Sequence, residues 1–218
     1  MKKLLLLAGI SSICLIVNAQ KVTLKYDLKE GSTYQMKQVT EQSIKQEVQG
    51  MSMDIKIAIT ATTSYVVNKA LPGQFEIDVI YDDLSMNMES PMMNMNFNSK
   101  DTADASNPAK IALATIVGQK FNMVMDEKGK VLSVTGFAKI LDTLTVKMDG
   151  NREMANQMAE TLKQNFSDEA MKGFMEMVMS VFPDQPVSVG DTWVVKTVTS
   201  GGMQLSNENT LTLKGAKD

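Results

Sequence analysis

The sequence predicts an α+β fold in which a long, curved antiparallel sheet, an incomplete barrel, packs against a helical block. Three observations predict it. Apolar residues alternate with period two through the first half, the period changes to 3.6 between Phe137 and Phe182, and alternation returns around Trp193. Strands, then helices, then strands, with no linker between them, read as one domain over residues 20–218.

The strands come first. Residues 33–48 form a rather polar strand that turns near Gln49-Gly50. The clearest alternation follows. Met53, Ile55, Ile57, Ile59, Ala61, Thr63, Tyr65 and Val67 fall on one face, with Asp54, Lys56, Thr60, Thr62 and Ser64 on the other. Leu71-Pro72-Gly73 reads as a hairpin turn, after which Phe75, Ile77, Val79 and Tyr81 resume the pattern. The phase slips at Asp82-Asp83, and Leu84, Met86 and Met88 continue it from even positions. One extra residue that flips the register is a β-bulge, and bulges bend long strands. Pro91 interrupts, then Met93, Met95 and Phe97 alternate with asparagines. A polar loop over residues 100–108 leads into a short helix over 108–117, with Asn107 as N-cap and Pro108 in the first turn. Phe121, Met123 and Met125 begin a hairpin that turns over residues 127–130 and returns over 131–134.

The helical period then takes over. Phe137, Ile140, Leu141 and Leu144 share one stripe, and Met154, Met158, Leu162 and Phe166 share another. Met171, Phe174, Met175, Val178, Met179 and Phe182 form the best one, behind Ser167 as N-cap and ended by Pro183. Strands around residues 193–199 and 203–213 complete the domain. Gly190-Asp191 turns the chain into Trp193, which reads as a core anchor.

Composition narrows the function. Residues 1–19 have the parts of a secretory signal: Lys2 and Lys3, an apolar stretch over 4–17, and Val17-Asn18-Ala19 as a cleavage site. Cys14 follows Ile13 rather than a small residue, so it reads as part of the leader and not as a lipidation site. The predicted product is exported to the periplasm or outer envelope and is free of any transmembrane span. Beyond the leader there is no histidine, no cysteine and a single arginine, Arg152. That removes the usual general base, the thiol nucleophile and the commonest zinc and copper ligands. Acidic residues outnumber basic ones by 25 to 22 and no basic stripe appears, which argues against nucleic acid as a partner.

The methionines point three ways. Met86/Met88, Met93/Met95 and Met123/Met125 are M-x-M pairs whose sulfurs share a strand face. Thioethers suit Cu(I), but without histidine such a site would be made of methionine alone. The same spacing also fits a packed apolar interior. It fits, thirdly, an adaptable surface for a lipid or acyl chain, because methionine is unbranched and polarizable. The residues that would line such a cradle are Ile55, Ile57, Ile59, Tyr65, Phe75, Ile77, Val79, Met93, Met95, Phe97, Met123, Met125, Phe174, Met175, Val178 and Met179. Catalytic residues, a metal set and a cofactor are not expected. Asp82 and Asp83 point to opposite faces of a strand, and Asp101, Asp104 and Asn107 match no calcium loop. Serine elbows, phosphate loops and dinucleotide fingerprints are missing. The leading expectation is a non-enzymatic exported protein that binds an apolar ligand, and the alternative is an envelope interaction module with a filled core.

Several segments together resemble a known family. They are residues 28–34 (Leu28-Lys29-Glu30-Gly31-Ser32-Thr33-Tyr34), 121–126, Gly129-Lys130-Val131, Val134-Thr135-Gly136 and 186–193 with its P-V-x-V-G-D-x-W block. The chain resembles uncharacterised exported proteins of Gram-negative bacteria. That resemblance implies a fold similar to the periplasmic lipoprotein carriers, and it carries over no active-site residue. It also implies further strands after the tryptophan strand, so an end at Asp218 is expected to mark a shortened member or a truncated sequence.

Overall fold

The computed structural model describes residues 21–48, 51–91, 94–101, 108–147, 156, 160, 167–198 and 206–215. The leader and the stripe of Met154, Met158, Leu162 and Phe166 lie outside the described residues.

Period-two alternation lets every second side chain face the core while neighbouring strands satisfy the main chain. Strands β1 (Thr33–Val48), β2 (Met51–Leu71) and β3 (Gln74–Glu89) use this to form a long antiparallel meander. Pro72 and Gly73 make the β2–β3 turn, with Gly73 at φ 77°. Proline pre-sets the first central residue of such a turn, and glycine supplies the positive φ of the second. The β1–β2 ladder runs unbroken from Thr33 opposite Val66 to Val48 opposite Met51. The β2–β3 ladder shifts twice. Thr62 faces Asp83 but Thr63 faces Tyr81, so Asp82 is the extra residue, at the place where the sequence changes phase. A second shift between Val67 and Lys69 leaves Asn68 as the extra residue of β2.

The Asp82 bulge is also a fork. Proximal to it, β3 pairs with β5 (Lys120–Asp126); distal to it, the same edge pairs with β4 (Asn94–Asn98). The chain is tied down on both sides. Ser99 and Leu84 exchange hydrogen bonds (N–H of Ser99 to the Leu84 carbonyl at 2.9 Å, N–H of Leu84 to Ser99 Oγ at 3.1 Å), and Gly118 donates to the Tyr81 carbonyl at 2.8 Å. Strand β6 (Val131–Thr135) completes a sheet of order β1-β2-β3-β5-β6, with β4 attached to β3. Strands β7 (Thr192–Val198) and β8 (Ser206–Thr212) form a separate antiparallel ribbon.

The expected α+β fold with a helical block is not what forms. Among the described residues the protein is mostly β, with small helices and no closed barrel. The physical reason lies in element length. The meander strands run 16, 21 and 16 residues. The described helices, α1 (Pro108–Ile116), α2 (Phe137–Lys147) and α3 (Asp168–Met179), run only 9, 11 and 12. Each offers one apolar stripe. That of α3 is spent against β6, while α1 packs on α2, so no helical layer assembles among the described residues. Helix α3 also ends earlier than Pro183: Ser180 is its C-cap, donating N–H to the Glu176 carbonyl. Phe182 therefore leaves the stripe and meets Tyr26 edge-on, ring centroids 4.8 Å apart. The N-cap forms as read from sequence, with Ser167 Oγ accepting from Ala170 N–H at 3.2 Å.

The core sits where β2, β3, β5 and β6 meet α2 and α3. Phe121 and Phe137 pack edge to face at 5.4 Å, among Val67, Ile77, Val79, Met123, Val131 and Leu141. The β5–β6 turn is locked onto the end of α3 through Gly129. Its φ is +87°, and a Cβ there would overlap the Met179 carbonyl oxygen. Ser180 Oγ donates to the Gly129 carbonyl at 3.1 Å and Tyr26 Oη to the Met179 carbonyl at 3.0 Å, closing the same junction.

Candidate functional site

The structure divides the sixteen cradle candidates at the bulge. Tyr65, Phe75, Ile77, Val79, Met123, Met125, Met175 and Met179 are buried in the core cluster, with Phe174 and Val178 packed against it. A ligand-sized cavity leaves accessible surface on its walls. Ile77, Val79, Met123 and Met125 expose 1% or less, so side chains already fill the space between them.

Beyond the bulge the picture changes. Ile55, Ile57 and Ile59 on β2 and Met95 on β4 are half-buried, and Phe97 is buried. The register brings them together with residues outside the candidate set. Ile57 faces Met88 and Ile59 faces Met86; Met88 in turn faces Met95, and Met86 faces Phe97. Directly opposed residues share a sheet face, so these side chains, with Leu84 and Met53, form one apolar strip across three strands. Met86, Met88 and Leu84 escaped the candidate set although the phase slip placed them on this face. Met93 lies outside the described residues.

The strip has sharp borders. On the β1 side Gln42 faces Ile57 and Thr40 faces Ile59, with Ile44 opposite Ile55 as the one aliphatic partner there. The other face of the same strands is polar, and Asn87, Glu89, Asn94 and Asn96 line a shallow depression of about 370 Å³ there with Met95. Asp82 and Asp83 diverge at the fork. Asp82 accepts from Ser64 Oγ at 2.5 Å and Gln35 Nε2 at 3.1 Å, whereas Asp83 accepts from Ser99 Oγ and pairs with Lys100 at 2.7 Å. Hydrogen bonds from Lys100 and Ser99 hold the Asp83 carboxyl below the usual carboxylate range. Burial pushes the Tyr81 hydroxyl up to about 12 and raises Tyr65 further, so both stay neutral at the core edge.

Among the described residues no group of three His, Cys, Asp or Glu side chains is placed to hold a metal ion. No described helix is long and apolar enough to cross a membrane. The chemistry on offer at the strip is exclusion of water from something apolar.

Fold and site thus define an open antiparallel β protein whose sheet is packed at one end and apolar but half-open at the other. Residues 72–218 match a family of unknown function (DUF6263), and the chain belongs to that family. No curated protein and no solved structure matches it.

Proposed function

We propose that the protein is a non-enzymatic binder of a lipid, which it holds along the distal apolar strip. One observation carries this reading: apolar alternation runs on past the packed core and the buried Leu84, at half burial, through Met86 and Met88 on β3 and from Ala61 to Met53 on β2. Nine residues of β2 (53–61) extend about 26 Å at ~3.3 Å per residue. An acyl chain spans half a bilayer core, about 15 Å, so the strip is long enough for one chain laid along the strands. Where β3 and β4 flank it, opposite Ile57 and Ile59, the strip is three strands wide, about 10 Å between the outer two, and accepts two side by side there.

Magnitudes favour the second arrangement. Removing about ten methylenes from water contributes about 8 kcal/mol at ~0.8 kcal/mol each. Association costs about 4–15 kcal/mol, so one chain binds weakly and two chains bind usefully. The residue types fit as well, since methionine on β3 and β4 adapts to chains of differing shape. The apparent signal in residues 1–19 supports export, and a diacyl lipid is abundant in an envelope.

The test is mass spectrometry of small molecules extracted from protein exported by a bacterial host and purified without detergent. A stoichiometric diacyl lipid, lost on Ile57→Asp in a folded variant, is the expected result. Empty protein, or lipid retained by Ile57→Asp, refutes the strip as its site. The filled core favours a second reading, an envelope interaction module whose strip meets another protein; empty, folded protein is what that reading expects.

A further inference from the structure

A second site lies away from the strip, between the β5–β6 turn, the segment leaving α3, and β7. It is a cleft of about 690 Å³, within the ~300–1,000 Å³ typical of ligand sites. Residues 192–197 of β7 line it in unbroken succession, and residues 182–187 line it from the other side. Neighbouring side chains of a strand point to opposite faces, so a succession of this kind shares only the strand's edge. The cleft runs along the backbone of β7.

That edge has no partner among the described residues. Strand β7 pairs with β8 alone, from Thr192 opposite Thr212 to Val198 opposite Ser206. Leu213 N–H donates to the Asp191 carbonyl at 3.0 Å. The antiparallel alternation therefore turns odd-numbered residues of β7 toward β8, and the N–H and C=O groups of Thr192, Val194 and Lys196 away from it. Exposed edges are ordinarily blunted by proline, bulges or inward charges. This one has no proline and no register shift, and its one charged side chain, Lys196, is engaged across the ribbon with Glu208 at 2.8 Å. Val194 and Val198 stand 49% and 63% exposed.

Two further observations bear on the cleft. Thr197 is 92% buried on the cleft-lining strand, yet its hydroxyl has no hydrogen-bond partner. Such a group costs about 1–3 kcal/mol until something satisfies it. The aromatic wall, by contrast, is fixed in advance: Trp193 Nε1 donates to the Val181 carbonyl at 2.9 Å, and Lys128 Nζ ties Pro183 to Leu24 through their carbonyls at 3.1 and 2.9 Å. Basic and acidic side chains both line the cleft, Lys21, Lys128, Lys130 and Lys196 with Glu176, Asp184 and Asp191, so net charge selects no ligand. Main-chain pairing does.

We propose that the outer edge of β7 docks an extended segment of a partner polypeptide, which joins the ribbon as its third strand. Its amides meet the free groups of Thr192, Val194 and Lys196, while its side chains rest against Trp193 and Pro183.

Trp193 is the only tryptophan of the chain, so its emission reports on this cleft alone. The experiment selects binders from a phage library of random heptapeptides against the full chain, then titrates the synthesised peptides by Trp193 fluorescence. The expected result is saturable binding that falls at least tenfold when alternate peptide amides are N-methylated in one phase and is unchanged in the other. Val194→Pro, which removes an outward N–H, lowers affinity at least tenfold. The peptide series keeps the test valid if that variant fails to fold. Failure to enrich any peptide, or binding indifferent to N-methylation, overturns the proposal. So does a shift of Trp193 emission by triacetylchitotriose without peptide binding, which assigns the cleft to sugars instead.

Discussion

Replacing Gly129 by alanine tests the junction between the β5–β6 turn and the end of α3, which borders the cleft along β7. Gly129 sits at φ +87°, where an L-residue costs about 1–2 kcal/mol. The added Cβ would fall on the Met179 carbonyl oxygen, 2.7 Å from its carbon and 2.9 Å from Tyr26 Cε2. Two of these three atoms are backbone at the end of α3, so relief requires moving the helix or the hairpin. Overpacking of this kind costs about 1–3 kcal/mol. Moving either element also strains the Tyr26–Met179 and Ser180–Gly129 hydrogen bonds, each contributing about 0.5–1.5 kcal/mol. The expected loss is about 4 kcal/mol in total. Gly73→Ala is the control. Its φ is +77° but nothing lies within 4 Å of the added atom, so strain alone, about 1–2 kcal/mol, applies. Urea unfolding of the two variants, followed by far-UV circular dichroism, gives the difference directly. Equal losses would show that the close approach of hairpin and helix is not a structural constraint, and the argument from contact would fail.

The remaining predictions concern the strip, the core and pH. Ile57→Asp abolishes lipid retention yet costs only about 1–2 kcal/mol of stability, because its site is half-open, whereas Met123→Ala costs about 2–5 kcal/mol and leaves retention intact; urea midpoints and lipid extraction separate the two. Burial pushes Asp78 up, but hydrogen bonds from Lys120, Asn68 and Asn122 outweigh it and hold its carboxyl below the ordinary range. A depressed carboxylate stabilises the fold above its unfolded value near ~3.9 and loses that contribution as pH falls through the folded value. The stability gap between the parent chain and Asp78→Asn should therefore narrow on acidification below about pH 4, and a gap that stays constant refutes the pairing with Lys120. Tyr65 and Tyr81 are raised above the ordinary tyrosine value, so their contribution is whole below about pH 10 and is lost as pH rises through the folded values; Tyr81→Phe should resist alkaline unfolding better than the parent chain.

Much of the β architecture was legible in the sequence because period two is a strong local signal. The phase slip at Asp82-Asp83 marked a real bulge, since an extra residue cannot enter a two-sided strand without reversing its faces. The shift at Asn68 left no such trace. Val66-Val67 precedes it and Ala70-Leu71 follows, so apolar residues occupy both phases and no reversal shows. The helical block was misread for a different reason. A 3.6-residue stripe announces a helix but not what the stripe rests on, and those of α2 and α3 rest on the sheet. The candidate site was half-legible. Alternation identified the apolar face, but whether a stretch of it is filled depends on which distant element covers it, and Met123 and Ile57 look alike until β5, β6 and α3 are placed.

The fork at Asp82 makes the sheet adjustable in length. Strands β5 and β6 and helix α3 all engage the proximal side, so residues added or removed at the distal tips do not reach the core. Changes in matched pairs alter the strip by about 6.6 Å per pair and keep every side chain on its own face, whereas a single residue turns the strand inside out. The hairpin is in effect a ruler graduated in two-residue steps. Chains built on this plan can lengthen or shorten the strip without renegotiating the fold that holds it.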